Sequence, residues 1–257
     1  MSGARRRLQA GYGVARSLAI YYGRPWRFRV MDAFYARLIR RGDLCFDLGA
    51  HVGNRVRSWR SLGASVVAVE PQPAMVHILR LLYGRDPKVS IVAAAIGERE
   101  GTMPLHLNLA NPTTSTSSEA FIEHASKAAS FRGQVWRERI TVPMTTIDAL
   151  IRAHGVPRFI KIDIEGYEAE ALLGLSQPIF ALSIEFVPMM RINAEAALDR
   201  LMQLGDYAFN ASYGDDMRLL HPAPLSFEDI RDWLRSLGDD GPAGDLYACR
   251  EPGPLQS

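Results

Sequence analysis

Asp47-Leu48-Gly49-Ala50-His51-Val52-Gly53-Asn54 continues the apolar run Leu44-Cys45-Phe46 and opens a segment of helical spacing over 54–62. It reads as a strand, a turn carrying two glycines and a helix. Glycine serves where backbone must turn tightly or let a ligand approach, and a helix N-terminus offers free N–H donors and a positive dipole. Alone, the pattern is equally that of a plain tight turn. Glu70 adds a second element, because it ends the next apolar run, 65–70, and lies 21 residues beyond Gly49. Sheets that bind nucleosides place an acid there to accept hydrogen bonds from ribose hydroxyls.

Outward from this core the alternation continues, with a helix over 73–83 and a third strand over 89–94. Such βαβαβ order predicts a parallel sheet covered by helices on both faces. The polar stretch 111–118 reads as an exposed loop, followed by a short helix near 119–129. Strands over 140–143, 159–163 and 179–186 then alternate with helices over 146–154, 167–173 and 194–204, the first capped by Thr145 or Thr146. The segments 207–213, 217–220 and 246–248, with a helix over 227–237, predict closing strands and an antiparallel edge. The expected organisation is a basic helical extension over 1–41, one α/β domain over 42–250 and a flexible tail over 251–257.

The chain of 257 residues is 47% hydrophobic and 23% charged, the composition of an ordinary globular protein. Its formal net charge of +2 argues against a chain devoted to coating nucleic acid. That charge is unevenly spread. Arg5, Arg6, Arg7, Arg16, Arg24, Arg27, Arg29, Arg37, Arg40 and Arg41 face a single acid, Asp32, within the first 41 residues. The arm reads either as a solvated amphipathic segment or as a contact for an anionic surface: membrane, nucleic acid, or an acidic glycan or lipid-linked substrate. Arg16 interrupts any secretory apolar stretch, and no run of about eighteen apolar residues predicts a transmembrane helix. Cys45 and Cys249 are too few for a disulfide framework, so a reducing, cytoplasmic setting is expected.

The cofactor is narrowed by what the glycine loop lacks. A dinucleotide loop needs Gly-x-Gly-x-x-Gly to clear space for pyrophosphate, and Gly49-Ala50-His51-Val52-Gly53 does not meet that spacing. S-adenosylmethionine has no phosphate to cradle, and its sulfonium and amino-acid moiety suit a loop flanked by Asp47.

At this point the sequence resembles the FkbM family of methyltransferases. The stretch 47–54 resembles its glycine motif, and Val67-Ala68-Val69-Glu70-Pro71 its second-strand motif. Ala95-Ile96-Gly97 is similar to the turn after the third strand that lies near the adenine. Thr145-Thr146-Ile147-Asp148-Ala149-Leu150 followed by Phe159-Ile160-Lys161-Ile162-Asp163-Ile164-Glu165-Gly166-Tyr167-Glu168 resembles the family's most distinctive stretch, and Ser117-Ser118 a serine pair common there. The likeness covers 43–187 and leaves out the arginine-rich arm and the tail. It implies a Rossmann-like, seven-stranded methyltransferase fold, S-adenosylmethionine as donor, and O-methylation of a small molecule, sugar or glycan. On it, Asp47, Gly49, Ala50, His51, Gly53, Asn54, Glu70, Pro71, Ala95, Ile96, Asp163 and Glu165 are the expected cofactor contacts.

Asp163, Glu165 and Glu168 cluster where the fourth core strand ends, and ligands of open α/β sheets bind outside such carboxyl ends. An acid there can hold the donor's amino group, deprotonate a hydroxyl, or bind Mg²⁺. Asp163, Glu185 and His51 are therefore the catalytic candidates, and Asp163, Glu165 and Glu185 the candidate metal ligands, with Mg²⁺ left open. Glu168 is expected at the surface, and Lys161 as a structural partner of Asp163 or Glu185. The other histidines (His77, His106, His124, His154, His221) have no metal-ligand spacing. Two other readings stand beside methyl transfer: a nucleic-acid-associated protein using the arginine arm, and a nicotinamide-dependent oxidoreductase. A homodimer through the N-terminal helices is a further expectation.

Overall fold

The computed structural model describes residues 3–128 and 131–256. Two helices come first, α1 (Gly3–Tyr22) and α2 (Trp26–Tyr35), parted at Gly23 and Pro25 as the sequence predicts. β1 (Leu44–Leu48), α3 (Asn54–Ser61), β2 (Ser65–Val69), α4 (Pro73–Tyr83) and β3 (Val89–Val92) follow in alternation. The chain then departs into β4 (Ala95–Ile96), β5 (Gly101–Leu107), α5 (Glu119–Lys127) and β6 (Glu138–Thr145). It returns through α6 (Ile147–His154), β7 (Phe159–Ile162), α7 (Glu168–Leu173), β8 (Ala181–Phe186), α8 (Arg191–Leu204), β9 (Ala208–Tyr213), α9 (Phe227–Ser236) and β10 (Gly244–Cys249).

The main sheet runs β3-β2-β1-β7-β8-β10-β9. β3, β2, β1, β7 and β8 are mutually parallel, and β10 lies antiparallel between β8 and β9. This is the expected seven-stranded, mostly parallel α/β sheet with an antiparallel edge. Strand order reverses between β1 and β7, which makes the gap beside them the switch point where such sheets hold ligands.

Successive strand residues point to opposite faces, and each face buries its own layer. Val66 and Ala68 join Phe34, Tyr35, Val56, Trp59 and Leu79 from α2, α3 and α4. Val67 and Val69 join Leu150, Leu172, Leu198 and Leu234 from α6 to α9. Tyr35, Trp59 and Phe159 meet edge to face with centroids 5.4–5.7 Å apart. Such contacts add to the area that large rings bury, and they make α2 part of the core.

Four regions differ from the sequence reading. β4, β6 and β5 form a separate three-stranded sheet, of which only 140–143 is predicted as strand. The run 111–118 is no exposed loop: Pro112, Thr114, Ser115, Thr116 and Ser118 are buried, and Thr116 bridges to His106 of β5. The 217–220 segment forms no strand, because Met217 takes a left-handed φ of 50° that interrupts an extended run. The 251–257 segment is not loose over its described part, since buried Leu255 joins the core and its carbonyl accepts from Asn210 Nδ2 at 2.9 Å. The helix expected near 119–129 is α5; Ala129 lies outside the described residues, as do Met1, Ser2 and Ser257 of the two termini.

Candidate functional site

The turn after β1 is pinned to the end of β2. The Gly49 and Ala50 amides both donate to the Val69 carbonyl, at 2.9 and 3.0 Å. Gly49 has φ +87°, and a Cβ there would stand 1.8 Å from the Asp163 carbonyl oxygen. Gly53 has φ +80° and abuts the Tyr83 ring. Both positions thus need glycine for backbone angle and for space. His51 between them also adopts positive φ, 49°.

Glu70 follows β2 and is buried, with Oε2 accepting from His51 N at 2.9 Å and Oε1 from Gln72 N at 2.8 Å. Burial pushes its carboxyl up to about 7, against the pull of those amides. Asp47, at the inner side of the same turn, is pushed up to about 6 by burial, and its Oδ2 has no hydrogen-bond partner among the described residues. The His51 ring is driven down to about 4 by burial and is neutral near pH 7. It lies edge-on to Tyr21 with centroids 5.5 Å apart, and its Nε2 is 3.4 Å from Ser17 Oγ.

The glycine turn, Glu70 and His51 border a cleft that opens to solvent. Of the predicted contacts, Gly49, Ala50, His51, Asn54, Glu70, Pro71, Ala95, Ile96, Asp163 and Glu165 line it. Asp47 and Gly53 sit behind its wall, and Glu185 belongs to the adjoining cleft. Thr113, Ser115 and Ser117 of the polar loop and Tyr167 of the quoted 159–168 stretch also line the first cleft, as does Tyr21, which has no signal in the sequence.

The second cleft shares Tyr21, Arg55, Asp163 and Glu165 with the first and adds Glu185, Asp215 and Asp245. One carboxylate oxygen each from Asp163, Glu165 and Glu185 lies within 4.8 Å of the others. Buried Lys161 stands beneath them, with its ammonium 2.5 Å from Asp245 Oδ1 and 3.2 Å from Asp163 Oδ2. Its second partner is therefore Asp245 rather than Glu185. Arg55, also buried, pairs with Asp215 at 2.8 Å.

Burial raises the Asp163 carboxyl, but Lys161 and then Arg55 outweigh it and hold the group below the ordinary carboxylate range. Glu185 and Glu165 are pushed well up by burial first and by the Asp163 charge second. The surroundings thus favour the ionised form at Asp163 and the protonated form at its two neighbours. The three also offer the hard oxygen ligands that Mg²⁺ takes.

Glu168 is buried, contrary to the surface position expected of it. Its Oε1 accepts from the Ile164 and Gly166 amides at 3.0 and 3.1 Å, which closes the turn that presents Glu165. Glu165 has φ +56°, and its carbonyl accepts from Thr116 Oγ1 at 2.6 Å. A left-handed glutamate persists only where neighbours over-determine it, and here a carboxylate and a threonine do so.

Comparison with known proteins adds a family. The model described as the methyltransferase FkbM domain matches residues 47–240. No curated protein matches the chain. Among solved structures, precorrin-6Y C5,15-methyltransferase from Geobacter metallireducens is 11% identical with a TM-score of 0.44, the match covering 85% of this chain and 86% of that one. The C-terminal domain of the Rhodobacter capsulatus precorrin-6Y C5,15-methyltransferase gives 15%, 0.42, 86% and 88%. Aeropyrum pernix fibrillarin, solved with natively bound S-adenosyl-L-methionine, gives 9%, 0.41, 82% and 68%. Scores this low say nothing of donor or acceptor.

Proposed function

Because the chain belongs to the FkbM family of methyltransferases, we propose that it moves a methyl group from S-adenosylmethionine to a hydroxyl of a small molecule, sugar or glycan. The observation that carries this reading is the pair of clefts sharing Asp163 and Glu165, one bordered by the glycine turn and Glu70, the other by a carboxylate cluster. Glu70 would receive the ribose hydroxyls, since its oxygens keep lone pairs beyond the two amides that orient them. Asp47, Asn54, Pro71, Ala95 and Ile96 would complete the donor's surroundings, and Glu165 would lie towards its amino-acid end.

When bound, the donor supplies an electrophilic methyl group on sulfur. Its transfer to the acceptor oxygen would leave the donor as a neutral thioether. The hydroxyl proton becomes strongly acidic as the C–O bond forms, so a weakly basic carboxylate suffices to take it. Asp163, kept ionised by Lys161 and Arg55, is that acceptor. Glu185 and Glu165, where burial favours the protonated form, would donate hydrogen bonds to Asp163 or to the acceptor. His51, a neutral and weak base, has the role of shaping the donor loop, its backbone N–H donating a hydrogen bond to Glu70 Oε2. Lys161 already neutralises the cluster from below, so this reading does not depend on Mg²⁺.

Calorimetric titration with S-adenosylmethionine and S-adenosylhomocysteine, on wild type and Glu70→Ala, tests the donor site. Binding weakened by the substitution supports it and opens a hydroxyl-acceptor screen with and without Mg²⁺. No binding of either compound by the folded protein sinks the reading and turns the search to nicotinamide cofactors.

A further inference from the structure

The first 41 residues carry ten arginines and one acid, a net +9. The whole chain sums to +2, so the other 216 residues carry a net −7. Charge is thus segregated between the arm and the body. Asp32, the arm's one acid, is taken up by Arg57 at 3.2 Å and Ser58 at 2.5 Å.

Three arm arginines are occupied by the body: Arg6 by Glu138, Arg16 by Asn111, and Arg27 by the Asp215 carbonyl. Arg5, Arg7, Arg24, Arg29, Arg37, Arg40 and Arg41 are exposed and make no ion pair among the described residues.

The arm also shows apolar side chains to water. Five of the twelve exposed large hydrophobics described (Leu8, Tyr12, Ile20, Trp26, Val30) lie in this sixth of the chain. On α1 the face that meets the body is marked by Gly13, whose missing Cβ would stand 2.2 Å from the Leu109 carbonyl, and by Ser17 and Tyr21. Helical spacing puts Leu8, Ala15 and Ala19 on the opposite side, with Tyr12 at its border, beside the cleft that α1 forms with 107–111. Leu8 is 73% and Tyr12 64% exposed, and Trp26, after the break at Pro25, is 63% exposed. Exposed apolar groups bordered by arginines can enter a headgroup layer while the arginines meet its phosphates.

We infer that the α1–α2 arm docks the protein on an anionic lipid surface, with Leu8, Tyr12 and Trp26 entering the headgroup layer and the free arginines pairing with lipid phosphates. Charge complementarity selects the orientation, because the acidic body is repelled by the surface that attracts the arm. It also favours lipid over nucleic acid. Phosphates alone would hold the arginines, but Leu8 and Val30 gain nothing from a polyanion and lose water contact in a bilayer.

The test is flotation of the full chain with vesicles of phosphatidylcholine alone or with about one third phosphatidylglycerol. Wild type should bind the anionic vesicles only, release as salt rises from about 0.1 to about 0.5 M, and show blue-shifted emission that Trp26→Phe abolishes. At about fivefold per arginine, Arg5→Glu with Arg7→Glu should weaken binding roughly 25-fold or more. Leu8→Gln with Tyr12→Gln should weaken it several-fold while keeping its salt dependence. Circular dichroism and S-adenosylmethionine titration check that both variants fold as wild type. Absence of binding to anionic vesicles at low salt overturns the inference, as does equal binding by the charge-reversed variant. Binding to single-stranded RNA or duplex DNA with none to vesicles also overturns it and assigns the arm to nucleic acid.

Discussion

The two clefts meet along Asp163 and Glu165, yet they are built by opposite means. The first is held mainly by backbone: amides of the glycine turn bond to Val69, and Glu70 is fixed by the amides of His51 and Gln72. The second is held by side-chain charge, with Lys161, Asp163, Asp245, Arg55 and Asp215 drawn from strands, a helix and loops far apart in the chain. A backbone site keeps its shape when one side chain changes and loses it when a turn no longer fits. A charge network does the reverse, because each member sets the protonation of the others.

The largest effect is expected in the charge-built half. Asp163→Asn should lower turnover by roughly 10²–10⁴ while S-adenosylmethionine affinity changes only a few-fold. Lys161 keeps Asp245 in this variant, so the fold should survive. Turnover within about tenfold of wild type would remove Asp163 from its role as base.

In the backbone-built half, Gly49→Ala places a methyl against the Asp163 carbonyl and a side chain at φ +87°. The unfolding free energy should drop by about 4 kcal/mol, with donor binding lost. A urea midpoint equal to wild type would show that the turn is softer than its geometry implies.

Glu70 gives a pH signature of its own half. Its carboxyl moves from an ordinary 4.5 to about 7 on folding because it is buried. Between those values the folded chain keeps a proton that the unfolded chain has released, so this group's contribution to stability falls as pH rises through the window. Asp47 and Glu168 act in the same sense, while His51, shifted down to about 4, acts in the opposite one. Glu70→Gln sets an amide nitrogen against one of the two backbone N–H groups and should cost stability at about pH 5, but it should gain on wild type by about 2 kcal/mol as pH rises through the window. A difference between the two proteins that does not change with pH would mean that Glu70 is already ionised when folded.

The smallest effect belongs outside both clefts. The Arg6 and Glu138 pair is largely exposed on its arginine side, and Arg6→Ala should cost well under 1 kcal/mol. A thermal shift of several degrees would instead make α1 an integral part of the fold.

The same contrast explains what could be read from the sequence. The run from β1 to α4 follows the predicted boundaries to within about a residue, because period, glycines and Pro73 are local signals. Glu70 was found by its distance from Gly49, which is a property of one βαβ unit. Asp245 lies 84 residues from Lys161 and Arg55 160 from Asp215, with no local pattern linking either pair. Tyr21 comes from a helix outside the stretch covered by the family likeness. The 111–118 segment was misjudged for another reason: its polar groups suggest solvent, but they satisfy one another inside. Asn108 Nδ2 donates to Thr114 Oγ1, Trp136 Nε1 to the Thr114 carbonyl, and Thr116 Oγ1 to the Glu165 carbonyl. β5 escaped because Pro104 argues against a strand, and as an edge strand it tolerates the missing donor.

β10 follows β9 in the chain but stands between β9 and the rest of the sheet. As the polypeptide emerges, the outermost strand is therefore made before the strand that joins it to anything. Until β10 slides in, β9 has one open edge to offer and β8 another, both ready to accept a strand from a neighbouring molecule. The arrival of β10 closes both edges at once and brings Asp245 to Lys161 in the same step. Completion of the sheet is thus tied to the second of the lysine's two ion pairs, and a nick that frees β10 would remove that pair and leave Lys161 with Asp163 alone.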